Sequence, residues 1–395
     1  GRARRLGGVT TLSSTAVSAR SVLAVLPAPP GAGSPPPDTM IAGVPLLRRI
    51  VLAAERAGFE RILVHPRACP DPCLLAGTAA AALGAVTIVA PRARLVLVPA
   101  NVLPQARWLR ALREMPLDPE ALAVDSSLTA VVESAGIGEV LRSAGLAAGA
   151  EDLITTLARQ LPRRTQAGDP ADRFALGGTV GAEAALDWLL RSLIKDTEGF
   201  MSRHVERRVS LAITRQLVGT RITPNVMTLV SLTIGLLGAP FFLSAEPIHQ
   251  LIGSLLFLTH SILDGCDGEL ARLKFLESPT GARLDFWGDN LVHVAVFGCM
   301  AAGWSLAADS AWPLVLGALA ITGTAASAYL VARHGGATSG PTGRLADAVA
   351  NRDFIYLVIL LACFGKAHWF LIPVALGTPI FMMLVRWGAG RRRVA

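Results

Sequence analysis

The sequence predicts two structurally different parts: a soluble α/β region first, then an α-helical integral membrane domain with six transmembrane helices. Three observations lead there. The chain is 52% hydrophobic with a mean hydropathy of +0.49, yet its long apolar runs are confined to the second half. The first half instead holds short β-rich runs separated by a segment with helical apolar spacing. Between two long apolar runs of the second half lies a regularly spaced acidic stretch, Asp264 to Asp289, reading DGCDGELARLKFLESPTGARLDFWGD.

In the first part, SVLAVLPA (21 to 28), RILVHP (61 to 66), AVTIVAP (85 to 91) and ARLVLVP (93 to 99) suit a buried parallel sheet. Between the first two, Leu46, Leu47, Ile50, Val51 and Ala54 carry the spacing of an amphipathic helix, so strand, helix, strand makes a βαβ unit. The Gly/Pro/Arg-rich interval 163 to 178 reads as an exposed connection. Cys69, Cys73, Cys266, Cys299 and Cys363 are odd in number and scattered. They form neither a disulfide framework nor a zinc set and are expected to be free thiols.

Residues 181 to 224 mix apolar and basic character. Phe200, Met201, His204, Val205, Arg207 and Arg208 fit a helix in the headgroup interface, apolar side inward and arginines towards anionic lipid. From Asn225 six spans are expected, near 226 to 243, 248 to 266, 285 to 304, 312 to 332, 353 to 366 and 368 to 387. Arg221, Arg272, Lys274, Arg283, Arg333, Arg344, Arg352 and the arginines from Arg386 on fall on alternate connections; only Lys366 breaks the pattern. The positive-inside rule then puts both termini and the acidic stretch in the cytoplasm, in an inner or plasma membrane protein. The N-terminal end, where Arg2, Arg4 and Arg5 precede a polar Ser/Thr stretch, lacks the pattern of a signal peptide. A formal net charge of +8 also suits nucleic acid, but these arginines sit beside membrane segments and aromatics are only 6%, so no nucleic-acid partner is expected.

Asp264, Asp267, Gly268, Ala271 and Arg272 follow steps of three, one, three and one, a single stripe on an α-helix. Gly281, Asp285 and Asp289 follow steps of four on a second helix, and a bend near Pro279 brings the carboxylates together. Such a cluster needs cations, and an all-carboxylate donor set favours Mg²⁺, Mn²⁺ or Ca²⁺ over zinc. Arg272 supplies a forked donor for phosphate, while the glycines and Ala271 leave room for a bulky ligand. Together they suggest phosphoryl chemistry at a membrane surface.

These eight residues, in the order D-x-x-D-G-x-x-A-R, eight residues, G-x-x-x-D-x-x-x-D, resemble the signature of the CDP-alcohol phosphotransferase family. The resemblance implies an integral membrane transferase that moves a substituted phosphate from a CDP-alcohol to a hydroxyl acceptor and releases CMP. It implies that Asp264, Asp267 and Asp285 hold two divalent ions, Mg²⁺ or Mn²⁺, and that Asp289 ligates metal or acts as general base. Gly268, Ala271, Arg272 and Gly281 fall to nucleotide binding. Thr223 and Asn225, in the ITPN-x-x-T entry to the first span, cap a helix locally or touch the nucleotide. Arg333 and Arg352 either bind an acceptor phosphate or serve as positive-inside anchors. A homodimer is also implied. His260 and His293, on apolar helices, are expected to be packed or hydrogen-bonded rather than catalytic.

The stretch 41 to 64 resembles sugar-nucleotide-type nucleotidyltransferases, which implies a Rossmann-like domain over residues 1 to 180. It departs from them where chemistry is carried: PAPPGAGSPPPD (27 to 38) lacks the arginine and glycine spacing of a triphosphate cradle, Val44 replaces a lysine, and Asn101 stands near an expected metal-binding aspartate. A degenerate, structural or regulatory domain is therefore expected, before a linker (181 to 224) and a transferase domain (225 to 395). Fusion of the two resembles proteins that pair CDP-inositol synthesis with inositol-phosphate transfer, so CDP-diacylglycerol or CDP-inositol is the expected donor and an inositol phosphate the expected acceptor. Two readings compete. One is a non-catalytic ion-binding scaffold or transporter, although charges collect at helix ends and no repeat is evident. The other is a bifunctional enzyme with an active N-terminal cytidylyltransferase.

Overall fold

The computed structural model describes residues 15–17, 19–29, 33–88, 92–165, 170–178, 180–194, 201–334 and 354–391. The chain divides into two compact units, Gly1–Leu189 and Leu190–Ala395.

The first unit is built on a seven-stranded sheet: β1 (Ser21–Leu26), β2 (Arg61–Val64), β3 (Ala80–Ala82), β4 (Ala93–Pro99), β5 (Leu122–Val124), β6 (Ala130–Ser134) and β7 (Arg163–Thr165), in the order β7-β5-β6-β4-β1-β2-β3. β1 is buried along its whole length, as expected of a central strand covered on both faces. It pairs in parallel with β2 and β4, and helix α1 (Leu46–Ala57) links β1 to β2, giving the expected βαβ unit. The apolar face of α1 is buried, and Gly58 ends the helix in the left-handed conformation at φ +80°. The described residues also form α2 (Ala106–Glu114), α3 (Ile137–Leu146), α4 (Ala150–Ala158) and, reaching the end of the unit, α5 (Ala182–Arg191).

The structure corrects three expectations here. The sheet is mixed: β6 runs antiparallel to β4 and β5, because Asp125 Oδ1 accepts from the Ser127 and Thr129 amides and folds a tight hairpin between β5 and β6. The run 85 to 91 does not join that sheet. Its described part, Val86–Ile88, pairs with Thr15–Val17 in a separate two-stranded ribbon. The interval 163 to 178 is not a plain connection either. Its first residues form β7, and Arg173–Ala175 pairs with Val102–Pro104, fastened by Arg173 Nε 2.6 Å from Asp125 Oδ2. That ion pair is almost fully buried, so an arginine that reads as solvent-facing in the sequence becomes a fixed part of the unit. All five cysteines are free thiols.

The second unit is helical: α6 (Arg207–Leu217), α7 (Pro224–Gly238), α8 (Pro247–Lys274), α9 (Pro279–Ala308), α10 (Trp312–His334), α11 (Phe354–Cys363) and α12 (Leu371–Arg391). Prolines occupy the first turns of α7, α8 and α9, where no intrahelical N–H is lost. Among the described residues three helical stretches, Pro224–Leu243, Pro279–Ala308 and Trp312–Leu330, are long and apolar enough to cross a membrane; Phe354–Cys363 and Ala367–Ile380 are shorter apolar helices. Helix α8 has the length, but His249, Gln250, His260 and the acids of its last turns dilute its apolar character.

The bundle closes by near approach of backbones. A Cβ at Gly303 of α9 would stand 2.3 Å from the Phe242 carbonyl oxygen and 2.8 Å from that of Leu243. Gly303→Ala should therefore lower stability by about 1–3 kcal/mol through overpacking against main chain that cannot rotate away. Thermal unfolding in detergent measures it.

Candidate active site

Helices α8 and α9 are joined by four residues, 275 to 278. Phe275 takes the left-handed conformation at φ +59° to end α8. Ser278 caps α9, its Oγ accepting the Gly281 amide at 3.0 Å. This short, capped turn places the last turns of α8 beside the first turns of α9.

Asp264, Asp267 and Asp285 meet there, each offering an oxygen within 4.8 Å of the others. Asp264 and Asp267 are buried at 5% exposure and Asp285 is half-buried. Asp264 and Asp285 are within hydrogen-bond reach, and Asp289 is close enough for its charge to act on both Asp267 and Asp285. Three converging carboxylates without a local cation repel one another in a poorly solvated site. The donor set of three hard oxygens matches Mg²⁺ or Mn²⁺, and these residues fit such an ion.

Asp289 stands one turn beyond Asp285, outside the three-oxygen group. Its Oδ1 lies 3.2 Å from His260 Nε2. His260 is hydrogen-bonded, as its apolar helix suggested, through Nδ1 to the Ser231 carbonyl oxygen at 3.0 Å, and its other ring nitrogen faces a site residue. His293 is held locally, its Nδ1 2.7 Å from the Asp289 carbonyl oxygen.

The surrounding residues explain the spacing of the motif. Thr228 Oγ1 donates to Asp267 Oδ2, which fixes that carboxylate from α7. Gly281 is required by the side chain of Asn225: a Cβ there would stand 2.9 Å from Asn225 Oδ1. Lys274 Nζ donates to the carbonyls of Thr220 and Ile222 at 2.7 and 3.1 Å, tying the entry of α7 to the end of α8. The Arg272 guanidinium lies over Gly268, where a Cβ would meet Nη1 at 3.3 Å. Ala271 is half-buried on the same stripe. Thr223 occupies the N-cap position of α7, but its side chain makes no capping hydrogen bond; its carbonyl accepts from the Val226 and Met227 amides. Arg333 is exposed on α10, Nη1 3.4 Å from Tyr329 Oη, and is not among the residues brought to the cluster; Arg352 lies outside the described residues.

One group central to this region has no signal in the motif. Glu269, fully buried on α8 between Asp267 and Ala271, accepts from Arg207 Nη1 at 2.8 Å, Ser210 Oγ at 2.7 Å and Thr214 Oγ1 at 2.6 Å. This corrects the expectation for the juxtamembrane helix. Arg207 turns onto α8 rather than towards lipid, and the buried face of α6 is polar, with Ser210 and Thr214 inside while Arg208 and Val209 are exposed. A buried carboxylate demands charge-assisted partners, and α6 supplies them. Phe200 lies outside the described residues.

Residues 221–383 match the model of the CDP-alcohol phosphatidyltransferase family, a range that contains every acid of the cluster. The chain is similar to the bifunctional IPC transferase and DIPP synthase of Thermococcus kodakarensis, 34% identical over 150 residues, covering 38% of this chain and 33% of the relative. It is also similar to the protein of the same description from Rubrobacter xylanophilus, 33% identical over 186 residues, covering 46% and 39%. It thus spans between a third and two fifths of the length of these two relatives. Among solved structures, the Mycobacterium tuberculosis phosphatidylinositol phosphate synthase with CDP-DAG bound aligns at 20% identity and a TM-score of 0.35, covering 46% of this chain and 94% of that one. The family match thus falls on the helical part of the chain, where α7 to α9 and the acidic cluster lie.

Proposed function

We propose that the helical unit is a membrane transferase that moves a substituted phosphate from a CDP-alcohol to a hydroxyl acceptor and releases CMP. The observation that carries this reading is the meeting of Asp264, Asp267 and Asp285 within 4.8 Å in a domain of that family. Bound divalent ions, two of them and of the Mg²⁺ or Mn²⁺ type, supply charge neutralisation for the donor's diphosphate.

The chain's own residues do the rest. Asp264 and Asp267 from α8 and Asp285 from α9 form the anionic cradle. Arg272 binds a phosphate oxygen, and the backbone at Gly268 and Ala271 admits the cytidine. The acceptor oxygen attacks the phosphorus that bears the alcohol, a new P–O bond forms, and the P–O bond to CMP breaks. The acceptor's proton passes to Asp289, the general base. Gly281 and Asn225 set the approach of α7 to α9, and Thr223 starts α7. Arg333 and Arg352 take the acceptor's phosphate. The alternating arginine pattern supports six spans with the site and both termini on the cytoplasmic side, and the unit works as a homodimer.

CDP-diacylglycerol and CDP-inositol are the donors to test, with an inositol phosphate as first acceptor. The N-terminal unit, residues 1 to 180, serves as a nucleotidyltransferase-like structural or regulatory domain, with 181 to 224 as linker and juxtamembrane helix. Two observations favour this over a working cytidylyltransferase. Asn101 spends its amide on the Leu176 carbonyl at 2.8 Å, and Val44 is a buried hairpin residue. Mass spectrometry of the product tests the reading. Purified protein with Mn²⁺, donor and acceptor should yield the new phosphodiester together with CMP, and a phosphomonoester or no product in its place would refute transfer.

A further inference from the structure

His260 is more tightly specified than a packed core histidine needs to be. It is 2% exposed on α8, one turn before Asp264 and on the same side of the helix. Its Nδ1 lies 3.0 Å from the Ser231 carbonyl oxygen. A carbonyl only accepts, so Nδ1 carries a hydrogen. The ring stacks on Phe257, centroids 6.2 Å apart with an interplanar angle of 19°. From the third side Gly235 approaches so closely that a Cβ there would be 3.0 Å from His260 Cγ and 2.7 Å from Val292 Cγ1. Backbone, ring and helix therefore fix the imidazole, and Nε2 is left directed at Asp289 Oδ1, 3.2 Å away. Asp289 Oδ1 is thus within hydrogen-bond distance of the ring nitrogen that faces it.

We propose that His260 is a positioning residue for Asp289: by holding Oδ1 it fixes the plane of the carboxylate and keeps it apart from the group formed by Asp264, Asp267 and Asp285. This rests on the reading of Asp289 as the base. A base must meet the acceptor's proton at hydrogen-bond distance and in line, and a carboxylate on a helix turns about two side-chain torsions unless something restrains it. Asp264 and Asp267 are acids like Asp289, so a donor held on the far side of Asp289 works against any drift of its carboxylate towards them. Outer partners of this kind orient the groups that do chemistry. A small cavity of about 10 Å³ adjoins the pair, lined by Phe257, Ser261, His293 and Phe354 as well as by His260 and Asp289, and it is no larger than a single water needs.

Three variants separate positioning from packing. His260→Phe keeps the ring stack and removes both hydrogen bonds. His260→Gln places a donor where Nε2 was, and His260→Asn places one where Nδ1 was. Each is measured for kcat and for the KM of the donor, and for Mn²⁺ affinity by electron paramagnetic resonance of the protein without substrate. Expected for His260→Phe is a loss of about 10- to 100-fold in kcat, the usual cost of an outer partner, with KM and Mn²⁺ affinity within about threefold of the parent. His260→Gln should recover most of kcat and His260→Asn should not. Independently of activity, the metal-free protein should show a downfield imidazole N–H resonance that His260→Phe and Asp289→Asn both abolish.

Parent-like kcat in His260→Phe overturns the proposal. So does equal loss of kcat and Mn²⁺ affinity in all three variants, which is the signature of a packing role, and so does an imidazole resonance indifferent to Asp289→Asn. Asp289→Asn also separates the two failures. If it transfers at the parental rate, the base reading itself is wrong; if it is inactive while His260→Phe is fully active, only the role of His260 is.

Discussion

Asp285→Asn should lose Mn²⁺ affinity by at least about 100-fold, the upper end of what an outer partner alone costs, and transfer should fall with it. Asp285 is the one acid of the three-oxygen group contributed by α9, so its charge is what closes the cradle across the two helices. The same change should act in the opposite sense on stability. Without metal, three carboxylates within 4.8 Å repel one another, and neutralising one relieves that repulsion. The metal-free variant should therefore melt at or above the temperature of the metal-free parent, while Mn²⁺ stabilises the parent and not the variant. Resonance titration and thermal unfolding in detergent check both halves. Parent-like Mn²⁺ affinity would contradict the assignment.

Glu269→Ala should be the most destabilising single change near the site, by about 3–5 kcal/mol, because it strands Arg207 in a mostly buried setting. The Arg207 side chain is 18% exposed and that of Glu269 not at all, so solvent screens the pair little. Ser210 and Thr214 would lose their acceptor in the same stroke. Glu269→Gln retains hydrogen-bonding oxygen and nitrogen and should cost clearly less than Glu269→Ala, and Thr214→Val removes a single hydrogen bond to the carboxylate. Thermal melts of the three variants measure the order, with Thr214→Val at about 1.5 kcal/mol, the low end for a hydrogen bond to a charged group. An equal, small effect of Glu269→Ala and Glu269→Gln would mean that α6 is held by apolar contact instead.

The helical periodicity of Asp264, Asp267, Asp285 and Asp289 was enough to read a carboxylate cluster, because helix geometry converts steps of three and four directly into a shared face. The meeting of the two stripes depended on a turn whose Ser278-Pro279 start is also visible in the sequence. What stayed hidden depends on partners far along the chain. Arg207 and Glu269 are 62 residues apart, Thr228 and Asp267 39 apart, and no periodic rule links them. A signal for Glu269 did exist: an acid on an apolar helix, off the stripe of Asp264 and Asp267, needs a buried partner of its own. His260 also carried one, standing four residues before Asp264 on the metal-facing side. In the first unit, fully buried strands such as β1 announced themselves by composition, whereas three-residue strands such as β5 and β7 are too short to show a period. Their pairing is decided by the Asp125 hairpin and the Arg173 ion pair, which are tertiary features.

The central claim is that the acids of α8 and α9 catalyse transfer from a CDP-alcohol. Its most direct measurement is the rate of CMP release by purified protein with Mn²⁺, from CDP-diacylglycerol and separately from CDP-inositol, across alcohol acceptors, with Asp289→Asn alongside. The account predicts release that requires both an acceptor and Mn²⁺ and that Asp289→Asn abolishes. Folded, Mn²⁺-binding protein that releases no CMP from any donor, or an Asp289→Asn variant as fast as the parent, would contradict it.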